Sequence, residues 1–255
     1  MMTSPAISEA PITLDTVVFF PFIAPPNGGK GTQTAILSKR FNMPRVDMGS
    51  MLRTMAQEET ALGNQLRQTL NSGQLVELSV VMDVLKAGIQ RELFQKPKGH
   101  SLQGFILDGF PRNLAQTEGL LQICQETGAR IGKAIYLELP YEVIVERASN
   151  RRLCGQCGAI YNLVAKPPEK ADVCDVCGST PLIHRTDDQP EKVQVRLQSF
   201  DEETRPIIDR LAALDLLSVV NGNRPMDVIT QELEQVIDPF FNSLSISSEC
   251  FKGID

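Results

Sequence analysis

Residues 17 to 41 restrict the fold more than any other stretch. Val17-Val18-Phe19-Phe20 and Phe22-Ile23 form a short apolar run that stops at Ala24-Pro25-Pro26-Asn27-Gly28-Gly29-Lys30-Gly31-Thr32. From Lys30 to Phe41, the residues Ala35, Ile36, Leu37 and Phe41 follow helical spacing. The run reads as a buried parallel strand, although Pro21 suits a central strand poorly. A glycine-rich loop between strand and helix can cradle phosphate, because backbone N–H groups and the positive helix end both face the anion. Lys30 would balance charge on a transferring phosphoryl group. The competing reading is a glycine turn that binds nothing.

The rest of the chain repeats the strand-helix rhythm. Helix is expected from Ser50 to Asn71, broken near Gly63, and again from Leu75 to Arg91, with Lys96 to Gly99 a turn. Phe105-Ile106-Leu107 is the next strand, followed by helix from Leu114 to Glu126. Ala134 to Leu137 is a strand and Tyr141 to Arg152 a helix. After a break over 153 to 184, helix returns from Pro190 to Leu214 with a kink at Pro206. Leu216 to Val220 and Met226 to Ile237 are the last strand and helix. This alternation predicts an α/β fold with a doubly wound parallel sheet.

Two further constellations carry chemistry. Asp108 ends an apolar strand and is followed by Gly109-Phe110-Pro111-Arg112, with Gln116 four residues after the arginine. Arg112 can grip a phosphate with two parallel bonds, and the Gln116 amide offers a donor and an acceptor to a base edge. Cys154 and Cys157 are separated by sixteen residues from Cys174 and Cys177. Two C-x-x-C pairs at this spacing are a structural zinc pattern, with four thiolates closing the shell. Cys124 and Cys250 read as ordinary free thiols.

The net charge of −6 argues against a general nucleic-acid binder. No run approaches the length of a membrane span. The N-terminus lacks the basic and apolar regions of a secretory signal, so a cytoplasmic protein is expected.

Taken together, these segments resemble the adenylate kinases, nucleoside monophosphate kinases of the zinc-bearing long-lid type, across residues 17 to 238. Gly29-Lys30-Gly31-Thr32 is similar to the family's G-K-G-T, and Asp108 to Gln116 to its D-G-F-P-R-x-x-x-Q. Gly49-Ser50-Met51-Leu52-Arg53 resembles T-G-D-[LM]-L-R, and Gly73 to Val76 resembles G-x-L-V. Arg147 and Arg151 match R-x-x-x-R, while Arg185 with Asp187-Asp188 matches R-x-D-D and Arg196 an arginine of the next helix. Asn221 to Pro225, including Arg224, resembles the loop that meets the ATP adenine.

The resemblance implies a P-loop nucleotide kinase that converts ATP and AMP to two ADP with Mg2+. It places a core at 15–239, a monophosphate-binding insert at 47–76, a zinc lid at 150–187 and tails at 1–14 and 240–255. Lys30, Asp108, Arg112, Arg147, Arg151, Arg185 and Arg196 would be catalytic, with Asp108 supporting the water shell of magnesium. ATP would meet Gly28, Gly29, Lys30, Gly31, Thr32, Arg147, Arg151 and Arg224. AMP would meet Arg53, Gly109, Arg112, Gln116, Arg185 and Arg196. A monomer with no nucleic-acid or membrane partner is implied. Four departures stand out: Ala24 for the first loop glycine, Asn27 for another, Ser50 for an aspartate near the metal and Met48 for a threonine near the base. They keep two rivals in view, a kinase for another monophosphate and a nucleotide-binding regulator with little turnover.

Overall fold

The computed structural model describes residue 14, residues 17–95 and residues 103–241. Its main sheet is parallel, with strand order β2 (Arg45–Asp47), β3 (Gly104–Asp108), β1 (Val18–Ile23), β5 (Ala134–Glu138) and β9 (Leu217–Asn221). The short β4 (Arg130–Ile131) pairs with β1 just before β5 does. All of β1 and β3 is buried, because helices cover both faces. Phe19, Phe105 and Leu107 point into one layer of core. Val18, Phe20, Phe22 and Ile106 point into the other.

Pro21 lies inside central strand β1, against the expectation from sequence, and the register explains how. Val18 N–H donates toward β3, to the Gln103 carbonyl, whereas the carbonyls of Val17 and Phe19 accept from Arg130 and Gly132 on the β4 side. Alternation turns the missing N–H of Pro21 to that second side. There β4 has ended at Ile131 and β5 pairs only from Phe22 onward, so no acceptor is left waiting.

The crossovers are α1 (Lys30–Arg40), then α2 (Met48–Met55), α3 (Ala61–Ser72) and α4 (Leu78–Gln95) between β2 and β3, then α5 (Leu114–Thr127) and α6 (Tyr141–Asn150). The break expected near Gly63 falls earlier, between α2 and α3. Gly63 sits in the first turn of α3, where its N–H meets the capping Thr60 Oγ1 at 2.9 Å. A β-carbon there would stand 2.3 Å from the Glu58 carbonyl oxygen, so close approach demands the glycine. The expected 190–214 helix is α7 (Pro190–Ser199) and α8 (Arg205–Ala213), joined by a π-helical turn over Phe200–Thr204. The irregularity thus precedes Pro206, whose ring rules out a regular helical turn ahead of it. The last helix is α9 (Met226–Ile237).

A second, antiparallel sheet, β7 (Ile160–Asn162), β6 (Arg151–Cys154) and β8 (Leu182–Ile183), carries the cysteines. Leu14, assigned to the N-terminal tail by sequence, is buried and donates its N–H to the Thr127 carbonyl. Phe240 and Phe241, assigned to the C-terminal tail, pack on Phe20 and Phe41. The 96–99 turn, Cys250 and the rest of both tails lie outside the described residues.

Candidate active site

The site forms where the chain's direction through the sheet reverses. From central β1 the chain runs out to β2 and returns through β3, then continues on the other side of β1 to β5 and β9. Loops leaving the carboxyl ends of β1 and β3 therefore face one crevice. Phe22 and Asp108 are in register, which sets Asp108 beside the entry to the glycine loop. The cavity there measures about 630 Å³, and of the residues assigned to catalysis, ATP or AMP all line it except Gln116.

The loop residues divide by function. Gly29 is the residue before α1 and has φ 83°, a left-handed backbone that favours glycine. Asn27 has φ 59°, a conformation asparagine tolerates. Its amide nitrogen and oxygen are both buried without a hydrogen-bond partner. Ala24 is not among the positive-φ residues, so its methyl carries no left-handed strain. A β-carbon on Gly28 would stand 3.0 Å from that methyl, 3.0 Å from the Pro25 carbonyl oxygen and 3.2 Å from Leu139 Cδ1. The loop accepts a methyl at 24 because position 28 has none. A β-carbon on Gly31 would come within 3.8 Å of Arg45 Nη2 and 3.9 Å of Asp108 Oδ2, so a longer side chain would press on that pair.

Asp108 is the anionic centre. Oδ1 accepts from Lys30 Nζ at 2.7 Å, and Oδ2 accepts from Thr34 Oγ1 at 2.7 Å and Arg45 Nε at 3.0 Å. Burial by itself would raise its pKa. The neighbouring charges of Lys30 and Arg45, with hydrogen bonds from Lys30 and Thr34, outweigh burial and bring it down to about 2. The carboxylate is therefore ionised across the physiological range. Its carboxylate oxygens have the chemistry to suit the water shell of a magnesium ion.

The arginines fall into two groups. Arg151 grips Asp188 through two parallel bonds of 2.7 and 2.6 Å, and Arg185 pairs with Asp187. Arg53, Arg112, Arg147 and Arg196 have no carboxylate partner among the described residues. They lean on neutral oxygens: Ser50 Oγ and the carbonyls of Gly109, Gly222 and Asp187 respectively. Burial lowers the pKa of all four, and for Arg196 burial with nearby Arg112, Arg151 and Arg185 brings it down to about 10. Four desolvated cations facing one cavity have the chemistry to receive a phosphate. The helix expected from Tyr141 to Arg152 ends at Asn150 and Arg151 opens β6, so Arg147 and Arg151 do not share a helix face.

Four residues differ from the reading of the sequence. Gln116 is 2% exposed, and its Oε1 accepts the Arg112 backbone N–H at 2.8 Å. One lone pair of that oxygen and the amide nitrogen remain, but the side chain does not line the cavity. Met48 is also buried and does not line the cavity. Arg45 and Asp47, neither singled out from sequence, do line it. The available signal was their i, i+2 spacing, which on a strand puts both side chains on one face.

In the lid, the four cysteine sulfurs lie within 4.8 Å of one another, with Cys154–Cys177 and Cys157–Cys174 each at 3.5 Å. Four sulfurs held 2.3 Å from a central zinc ion would be about 3.8 Å apart, so the cluster is compatible with zinc. The two C-x-x-C turns are alike: Gly158 N–H meets the Cys154 carbonyl and Gly178 N–H meets the Cys174 carbonyl, both glycines at positive φ. Tyr161 Oη lies 3.4 Å from Cys174 Sγ.

Comparison with known proteins agrees with this geometry. The family model described as adenylate kinase matches residues 22–215. An adenylate kinase of Caldicellulosiruptor bescii is 39% identical over 208 residues, covering 82% of this chain and 93% of that protein. Those of Archaeoglobus fulgidus and Oceanobacillus iheyensis are 35% and 36% identical, covering 85% and 84% of this chain and 96% and 95% of their own lengths. Among the described residues no helix is long and apolar enough to cross a membrane. With the glycine loop, the Asp108 strand end, the arginines and the four-cysteine lid in one architecture, the chain belongs to the adenylate kinase family.

Proposed function

We propose that the chain catalyses reversible phosphoryl transfer, ATP + AMP = 2 ADP, with its own residues in the following roles. The ATP phosphates lie against the backbone N–H groups at the start of α1, where the helix dipole is positive. Lys30 leaves Asp108 for those phosphates, and Arg147 and Arg151 meet them from the β6 side. Arg53, Arg112 and Arg196 hold the AMP phosphate, while Arg185 is shared between the two nucleotides. Magnesium bound with ATP neutralises charge on its phosphate oxygens, and the ionised Asp108 is the residue suited to hold its water shell. No general base is needed, because the transfer depends on positioning and charge.

The observation that carries this reading is the set of four cations without carboxylate partners among the described residues, brought to one cavity by α2, the β3–α5 loop, α6 and α7. A binding protein for an uncharged ligand would have no use for them. We also assign one structural zinc ion to Cys154, Cys157, Cys174 and Cys177. The test is coupled measurement of ADP formation with AMP, CMP, UMP and GMP, alongside Lys30→Met. Turnover with AMP well above the others, lost in K30M with the fold intact, is expected. ATP binding without turnover of any monophosphate refutes the reading.

A further inference from the structure

Strand β2 brings to the transfer site a cation that the roles above leave out. Arg45 Nε donates to Asp108 Oδ2 at 3.0 Å, its Nη2 lies 2.9 Å from the same oxygen, and that Nη2 also donates to Asp47 Oδ2 at 2.6 Å. The register produces this geometry. Asp47 and Asp108 stand opposite each other on adjacent parallel strands, so both carboxylates leave the same face of the sheet. Arg45, two residues before Asp47, leaves it too. Like charges directly opposite one another are destabilising, and a guanidinium fork between them removes that cost. The side chain is 26% exposed and Asp108 only 5%, so solvent screens the pair weakly.

Asp108 divides its partners between its two oxygens. Lys30 holds Oδ1 alone, whereas Arg45 and Thr34 hold Oδ2. When Lys30 departs for a phosphate, Oδ2 keeps its grip. Arg45 is itself anchored by Asp47, which caps α2 by accepting from Ser50 N and Ser50 Oγ, each at 3.0 Å. Ser50 Oγ in turn accepts from Arg53 at 3.3 Å. Arg45 is thus the middle of a polar chain running from the ATP lysine to an arginine of the AMP phosphate.

We propose that Arg45 is a positioning residue of the transfer reaction. As a resident cation it bridges Asp47 and Asp108, keeps Asp108 in place when Lys30 moves, and fills the space between the carboxylates so that a divalent ion enters with the nucleotide and not before it. The proposal rests on the phosphoryl-transfer reading.

The test is Mn2+ binding to zinc-loaded protein, followed by electron paramagnetic resonance, with steady-state kinetics on the same preparations. Wild type without nucleotide should bind Mn2+ only weakly and should bind it tightly when ATP is added. Arg45→Gln without nucleotide should bind one Mn2+ per chain, about tenfold or more tighter than wild type, because two facing carboxylates have lost their counter-ion. Adding Asp47→Asn to it should return binding to the wild-type level. Arg45→Lys keeps the charge but not the fork, so it should bind Mn2+ only as weakly as wild type does. Its kcat should fall while its KM for AMP stays near wild type. A purely structural Arg45 would lower stability in both variants and leave Mn2+ affinity unmoved. Wild type binding Mn2+ without nucleotide as tightly as it does with ATP overturns the proposal and needs no variant to fold; so does full kcat in R45K. Normal wild-type turnover beside either result leaves the kinase reading standing, and only absent turnover removes it.

Discussion

Asp108→Asn should produce a stability loss that fades as pH falls. The wild-type carboxyl sits at about 2 against an ordinary 3.8, held down by Lys30, Arg45 and Thr34 against the opposing effect of burial. A folded-state pKa below the unfolded value stabilises the fold at pH above the unfolded value, and the contribution is lost as pH drops through the folded one. Its size is about 2 kcal/mol at neutral pH. It is nearly undiminished at pH 4 and falls to roughly half at pH 3 by the same linkage. The amide that replaces the carboxyl cannot titrate, so urea unfolding of wild type and D108N at pH 7, 5, 4 and 3 should show two curves converging as the medium becomes acid. Other carboxylates and the lid titrate in both proteins and largely cancel from the difference. A gap that stays constant or widens between pH 4 and 3 would refute the argument that Lys30 and Arg45 outweigh burial at this carboxylate.

Gly28→Ala should cost about 1–3 kcal/mol through overpacking against Ala24, Pro25 and Leu139. Ala24→Gly should restore part of that in the double variant, and additive losses in a double-mutant cycle would count against the complementary-methyl argument. Asn27→Gly should stabilise the nucleotide-free protein by about 1 kcal/mol or more, since it removes two buried polar atoms without partners; a lower melting temperature would show that the side chain is satisfied in solution. Chelation of zinc should expose the lid to proteolysis before the parallel sheet, as read by fragment mapping. Elemental analysis giving far less than one zinc per chain, with four reactive thiols, would contradict the cluster assignment.

The β1–loop–α1 unit was legible because each part carries its own signal: an apolar run, left-handed positions filled by Asn27 and Gly29, and a helical repeat. Asp108 and the arginines were legible as spaced motifs. Arg45 and Asp47 were not. Their role depends on β2 lying beside β3 in one register, a pairing made across more than fifty residues and unmarked in local sequence. Pro21 was misjudged for the same reason, since only the handover from β4 to β5 shows that its missing donor is not needed. Gln116 was assigned to the base from its type and the matching motif, yet its oxygen accepts a backbone N–H four residues earlier and the side chain does not line the cavity. Residue type reports what a group can bond, and the fold decides which bonds are already taken.

Arg53, Arg112, Arg147 and Arg196 bear on stability as well. Desolvated cations that meet no carboxylate among the described residues are costly to hold, and a bound anion offsets that cost. Mass action then ties the lifetime of the chain to its substrates: at a nucleotide concentration a hundred times Kd, binding adds about 2.7 kcal/mol to the folded state. When adenine nucleotides are plentiful the molecule resists unfolding and proteolysis; when they run low it becomes the more fragile species. The enzyme's abundance would register the state of the pool it equilibrates, through electrostatics already present in the unliganded site and without any dedicated regulatory element.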